Sequence, residues 1–192
     1  MTRSLLVFIG PSGSGKSSVV RSLVDRHVIC VHPTWTTRPR RPDESAGSVE
    51  HRFVSEPDFL RLRDDDGFFL HSVQLFGMPY WYGLPTIEPN ESGVVDAVML
   101  RAPLVPILRE FYQEPVIYQV EATSAIVEAR LAARGYTADE LDARLSDNEK
   151  ERVAGRSIAQ RHFRNDEALD AAVNEVERAV REDFAPRLLE AI

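Results

Sequence analysis

Gly10-Pro11-Ser12-Gly13-Ser14-Gly15-Lys16-Ser17 reads G-x-x-x-x-G-K-S, and this stretch decides the fold. It follows the apolar run Leu5-Leu6-Val7-Phe8-Ile9 and precedes a helical pattern over 17–25. Strand, tight loop and helix together are the setting in which the motif cradles phosphate. Small residues let backbone N–H groups curl around a polyphosphate, and the helix N-terminus adds partial positive charge. Gly10, Ser12, Gly13, Ser14, Gly15, Lys16, Ser17 and Ser18 are therefore the candidate ligand-holding residues. Lys16 has the reach for β- and γ-phosphates, and the Ser17 hydroxyl is placed to ligate Mg²⁺. The ligand this implies is a nucleoside triphosphate with Mg²⁺. The competing reading, a glycine-rich turn that matches by chance, does not account for the flanking strand and helix.

Working outward, short apolar runs alternate with helical patterns. Strands are predicted at 5–9, 28–31, 94–99 and 116–120. Pro103 and Pro106 confine the regular part of a helix between Arg101 and Tyr112 to its later residues. A helix over 124–134 is stopped by Gly135. Thr137 or Asp139 caps a charged helix running to Gln160. A last helix starts near Asp166, with Leu169, Val173, Val176 and Val180 on its core face. The pattern predicts an α/β fold of the three-layer P-loop type with a parallel central sheet. Residues 34–90 break the alternation: they are rich in proline and aromatics, and read as an inserted, mainly β subdomain. The chain then divides into a core of 1–33 and 91–192, a lid at about 135–160, and the insertion, all within one domain.

Composition narrows the function classes. The chain has 192 residues, 43% hydrophobic and 28% charged, which suffices for a core. A net charge of −7 argues against nucleic acid as a partner, because phosphate backbones call for a basic surface. A small anionic ligand needs only a local basic pocket. Cys30 is the only cysteine, so no intrachain disulfide forms; that fits a reducing cytoplasm, and Cys30 reads as a small core residue. The loop arrives by residue 10, too early for a signal peptide, and no 18-residue apolar stretch exists to enter a membrane. A homodimer is compatible with everything here.

The second cluster is Thr36-Thr37-Arg38-Pro39-Arg40-Arg41-Pro42-Asp43-Glu44, followed by Gly47 and His51-Arg52-Phe53. Three arginines in four residues make a positive site in an acidic chain, and guanidinium groups grip phosphate oxygens in a two-pronged fork. A solvated basic loop is the alternative. Beside a phosphate loop, a second phosphate site is the simpler account.

Loop, arginine segment, His-Arg-Phe and the later Trp81-Tyr82-Gly83 together resemble the guanylate kinase family over essentially the whole chain. The resemblance implies ATP-dependent phosphoryl transfer to a small phosphorylated acceptor, a nucleoside monophosphate. It implies that Arg38, Arg41 and Glu44 bind the acceptor phosphate, and that Trp81 and Tyr82 stand where the family has its Y-Y-G element. His51 falls near the family's phosphate-contacting tyrosine. Arg130-Leu131-Ala132-Ala133-Arg134-Gly135 and Arg144-Leu145 are similar to the family's lid, so Arg134 and Arg144 would close over the transfer while Arg130 decorates a helix face. Asn165 would lie beside the adenine, and Asp166 next to it is also placed to cap the last helix.

The base-reading positions depart from the family. Its glutamate before Y-Y-G is nearest to His71 here, its D-x-D keeps only Asp96, and Leu84 replaces a hydroxyl. Asp96 is expected on the acceptor and beside Ser17 on Mg²⁺. A site that loses hydrogen-bond acceptors for a base changes its preference. Ser45-Ala46-Gly47-Ser48, Arg101-Ala102 and Pro115-Val116 are similar to ribose 1,5-bisphosphate phosphokinases, whose acceptor has no base. A guanylate-kinase-like interaction module without catalysis is the third reading; the intact Gly15-Lys16-Ser17 speaks against it.

Overall fold

The structure is a computed structural model that describes residues 5–41, 44, 48–65, 67–74, 79–112, 114–136 and 138–188. Pro42, Asp43 and Gly47 of the arginine-rich segment, and the candidate cap Thr137, lie outside the described residues. In chain order the elements are β1 (Leu6–Ile9), α1 (Lys16–Asp25), β2 (Ile29–Val31), β3 (Thr34–Thr36), β4 (His51–Phe53), α2 (Glu56–Asp64), β5 (Phe69–Gln74), β6 (Trp81–Pro85) and β7 (Val95–Met99). A 3₁₀ turn (Ala102–Leu104) follows, then α3 (Val105–Leu108), β8 (Val116–Glu121), α4 (Ser124–Ala132), α5 (Ala138–Ile158), β9 (Arg161–Arg164) and α6 (Leu169–Leu188).

The β1 strand is apolar on both faces because it is covered on both. It is the middle of a five-stranded sheet of order β2-β7-β1-β8-β9, with every pair parallel. Parallel pairing forces crossovers, and these lay helices over both faces. Leu6 and Phe8 pack with α1 and α6; Leu5, Val7 and Ile9 pack on the other side with Val105 and Leu108. Each fully buried Leu, Val or Phe contributes about 1.5–3 kcal/mol, so this strand anchors the loop that follows it.

A second sheet, β4-β3-β6-β5, holds most of the 34–90 insertion. β3 runs parallel to β4 and antiparallel to β6. Phe59 of α2 is fully buried and stacks on Phe69 at 4.8 Å. His32 and Pro33 alone separate β2 from β3. The second sheet therefore leaves the carboxyl end of the first, the same end at which β1 delivers the phosphate loop.

Several expectations are corrected. β9 was not anticipated: only Phe163 of Arg161-His162-Phe163-Arg164 is buried, so the run has no apolar signature. α3 begins before Pro106, which sits in the first turn where its missing N–H costs nothing. α6 begins at Leu169, and Asp166 does not cap it; it accepts from the Thr123 N–H at 2.6 Å and from Arg164. Val173, Val176 and Val180 are core, but Leu169 is 37% exposed.

Candidate functional site

The loop's shape is imposed by its glycines. Gly10 has φ 140°, and a Cβ there would stand 2.2 Å from the Val120 carbonyl oxygen. Gly15 has φ 84°, and a Cβ would meet Asn165 Nδ2 at 2.0 Å. No other residue fits either position. Behind the loop, side chains take up its polar backbone. Asn165 Nδ2 donates to the Ser14 carbonyl at 2.9 Å. Arg130 Nη1 donates to the Gly13 and Ser14 carbonyls, and its Nη2 to that of Asn165. Asn148 of α5 clasps Ser12 twice, accepting from its N–H at 2.9 Å and donating to its carbonyl at 2.8 Å.

Two expectations change here. Arg130 does not decorate a helix face; it underpins the loop. Asn165 is 3% exposed and does not line the cavity; it supports the loop from behind. The N–H groups of Ser12, Ser14 and Ser18 are engaged within the protein, by Asn148, the Pro11 carbonyl and the Gly15 carbonyl. Gly13, Gly15, Lys16 and Ser17 line the cavity.

The carboxylate facing the loop is Glu50, a residue that no motif in the sequence marks. The Ser17 hydroxyl donates to Glu50 Oε2 at 2.6 Å, and Lys16 Nζ lies 3.6 Å from Oε1. His51 Nε2 is also 3.6 Å from Oε1. Burial opposes ionisation of Glu50, but Lys16, His51 and the Ser17 hydrogen bond outweigh it and hold the carboxyl well below the usual range. The His51 ring is pushed down to about 4, first by burial, then by the Arg38 and Lys16 charges, with Glu50 pulling the other way. It is neutral at pH 7, hydrogen-bonded through Nδ1 with Thr34 Oγ1 at 2.7 Å, so an imidazolium gripping a phosphate is not what this geometry offers.

Asp96 is elsewhere. It lies near the start of β7, where His32 Nε2 and Asn90 Nδ2 reach its Oδ1 at 2.7 and 2.6 Å. The strand end that meets the cavity is Met99-Leu100, three and four residues further on. Asp96 is therefore not brought to Ser17 or to the acceptor end, and Glu50 occupies the place beside Ser17. Nothing local distinguishes Glu50 from the chain's other acids; only the β3–β4 pairing, with Thr34 opposite His51, carries it to the loop.

One cavity of about 1080 Å³ joins the loop to the arginines. Arg38, Arg41, Glu44, His51, His71, Tyr82, Arg134 and Arg144 all line it, together with Arg40. Arg38 is 8% exposed, forms a two-pronged pair with Glu44, and lies 5.1 Å over the Phe53 ring. Burial works against both partners' charges, yet the pairing raises the Arg38 pKa and lowers that of Glu44. Glu44 also accepts from the Arg41 N–H at 2.8 Å. From α5, Arg144 sits 4.1 Å over the Tyr136 ring. Trp81 is the remaining correction: its ring stacks near Phe59 and under Arg63, on the α2 side of the sheet, and does not line the cavity. Its backbone instead ties β6 to Thr36 and Thr37.

A parallel sheet with a glycine loop at its carboxyl end, a lysine and serine opening the following helix, and a charged cavity beyond define a P-loop protein of the α/β class. No protein-family model matches the chain. Ribose 1,5-bisphosphate phosphokinase PhnN of Laribacter hongkongensis is 32% identical over 150 residues, covering 76% of this chain and 35% of that protein. The guanylate kinase of Bordetella pertussis is 32% identical over 146 residues, 73% of this chain and 66% of that protein. That of a Nostoc species is 29% identical over 185 residues, 94% and 90%. Among solved structures, guanylate kinase from Anaplasma phagocytophilum superposes with a TM-score of 0.68 at 19% identity, over 95% of this chain and 87% of that one, which shows the fold. The chain belongs to the guanylate kinase family. It spans less than half the length of several curated relatives it matches, the Laribacter protein among them.

Proposed function

We propose that the chain transfers the γ-phosphoryl group of ATP to the phosphate of a small phosphorylated acceptor, a nucleoside monophosphate in the reading its guanylate kinase relatives favour. The observation that carries this is the shared cavity: the loop with Lys16, the pair Arg38 and Arg41, and Arg134 and Arg144 all line one space. Phosphoryl transfer asks a protein for positioning and charge, not covalent chemistry. Gly13, Gly15, Lys16 and Ser17 hold the donor phosphates. Arg38 and Arg41 grip the acceptor phosphate, and their pairing with Glu44 pre-sets them at little ordering cost. Arg134 and Arg144 neutralise charge as it develops on the transferred group. The acceptor oxygen is already ionised, so no general base is required.

Ser17 Oγ and Glu50 are an all-oxygen donor pair of the kind Mg²⁺ prefers, and they fit that ion beside the loop. Held by Ser17 and Glu50, Mg²⁺ would supply positive charge that offsets the charge of the donor phosphates. In the same proposal the second sheet with α2 is the acceptor-binding part, residues about 135–160 are the lid, and the protein works in the cytoplasm. The partners are small molecules, not nucleic acid or membrane; among the described residues no helix is long and apolar enough to cross a membrane.

A second acceptor is favoured by one observation. Leu84, Met99, Leu100 and Ile107 line the cavity, and His71 stands where the family uses a glutamate. None of these five side chains is a carboxylate that accepts from guanine N1–H and N2–H₂, and the cavity's Asp147 and Glu151 are paired with Arg101, which favours ribose 1,5-bisphosphate, an acceptor with no base to read. An ADP-release screen over GMP, dGMP, AMP, CMP, UMP and ribose 1,5-bisphosphate separates the two. Turnover with none of them, together with no ATP binding by calorimetry in Mg²⁺, would remove the proposal and leave an interaction module.

A further inference from the structure

We propose that Cys30, His32 and Asp96 form a binding site for a borderline-soft divalent cation, Zn²⁺ in the first instance, apart from the phosphate cavity. Cys30 and His32 are two residues apart along an extended segment, so both project to the same face. Asp96 is the residue opposite Cys30 in the parallel β2–β7 register. Three donors of different type are thereby gathered from two neighbouring strands. His32 Nε2 is 2.7 Å from Asp96 Oδ1, and the sulfur, ring nitrogen and carboxylate oxygen all lie within 4.8 Å of one another.

A tetrahedral zinc ion with bonds of about 2.0–2.3 Å separates its ligand atoms by roughly 3.2–3.6 Å. Small side-chain rotations therefore convert this cluster into three legs of a tetrahedron. Asn90 holds the Asp96 Oδ1 that faces His32, donating through Nδ2 at 2.6 Å and through its backbone N–H at 3.2 Å; this supports and orients the carboxylate, and a cation would take the place of the direct His32–Asp96 hydrogen bond. All three residues are half-buried, so the site is reachable yet partly dry. Burial, and then the Asp96 charge, raise the Cys30 thiol pKa, which disfavours a free thiolate; a bound cation reverses that and takes the sulfur as thiolate. One position stays open for water.

None of the three residues lines the phosphate cavity, but Thr34, two residues past His32, does. The cation would brace the His32-Pro33 joint between the two sheets.

The test uses the full chain after chelator treatment. Zn²⁺ titration is expected to show one equivalent bound. Co²⁺ in its place is expected to give thiolate-to-metal charge-transfer absorption, which vanishes in Cys30→Ser, while Asn90→Ala weakens binding by roughly tenfold. Cys30 is the only cysteine, so disulfide-reagent modification of the unmutated chain reads the same site without any substitution: Zn²⁺ slows it and chelator restores it. Absence of the Co²⁺–thiolate band in the folded chain, thiol reactivity indifferent to Zn²⁺, or unchanged Zn²⁺ affinity in a folded Cys30→Ser variant would each overturn the assignment. None of these readouts depends on phosphoryl transfer.

Discussion

The two ends of the cavity are built by different means. At the donor end the shape is backbone: Gly10 and Gly15 sit at positive φ in spaces that a methyl group would overfill, and buried side chains tie down the carbonyls behind. At the arginine end, the proposed acceptor side, the shape is ionic: Arg38 and Arg41 are held by the Glu44 carboxylate, which also accepts from the Arg41 N–H. A backbone cradle tolerates almost no substitution but makes no choice among nucleotides. An ion-paired clamp is adjustable, and so is the apolar wall beside it. The phosphate loop keeps its motif whole, whereas the positions that read a base in the guanylate kinases, His71 and Leu84 among them, depart from that pattern.

That contrast is open to direct attack. The largest effect is expected from Lys16→Met, which removes a charge from the donor phosphates: turnover should fall by roughly 10²–10³ with the melting curve intact, in line with losing one electrostatic donor. Next comes Arg41→Met. If the acceptor end is a separate clamp, the acceptor KM rises by roughly 10- to 100-fold, the value of a charge-assisted hydrogen bond, while the KM for ATP stays put. A rise in both KM values would erase the distinction between the ends. Asn148→Ala deletes the double hydrogen bond to Ser12; a loss of about 1–2 kcal/mol in chemical denaturation is expected, with a several-fold rise in the KM for ATP.

A milder effect concerns acid. His51 titrates at about 4 in the fold against an ordinary 6.5, and Glu50 lies below its ordinary 4.5. Below pH 6.5 the unfolded chain takes up a proton that the folded one refuses, so stability should decline from pH 6.5 towards 4 and further as Glu50 protonates. Denaturation curves across that range should flatten in His51→Gln. The smallest effect belongs to Trp81→Phe: with its ring on the α2 side, both KM values are expected to stay within about twofold, although stability drops.

How much of this the sequence disclosed follows from range. The phosphate loop is written locally, since eight consecutive residues and their flanking strand and helix carry their own conformational demands. Arg38, Arg41 and Glu44 are close in sequence, and they meet in space. Asp96 and Glu50 show where local reading ends. The resemblance puts Asp96 on the ion as the first aspartate of the family's D-x-D, but a strand rises about 3.3 Å per residue and Asp96 lies three residues short of the cavity. Glu50 reaches Ser17 only through a parallel β3–β4 pairing across an intervening loop, which no window of sequence displays. Trp81 and Tyr82 were read together, yet alternation along β6 sends them to opposite faces. β9 escaped because a strand with one buried residue has no apolar pattern to detect.

Asn148 and Arg144 are one turn apart on the same helix. The first is fastened to Ser12 in the bend of the glycine loop; the second lines the cavity, on the proposed path of the transferred group. Rotating that helix therefore tugs on Ser12, and a nucleotide that orders Ser12 steadies the helix in return. Thermodynamic reciprocity makes the two effects equal in free energy: whatever help ATP gives in bringing Arg144 into place, an already placed Arg144 gives back as tighter retention of ATP.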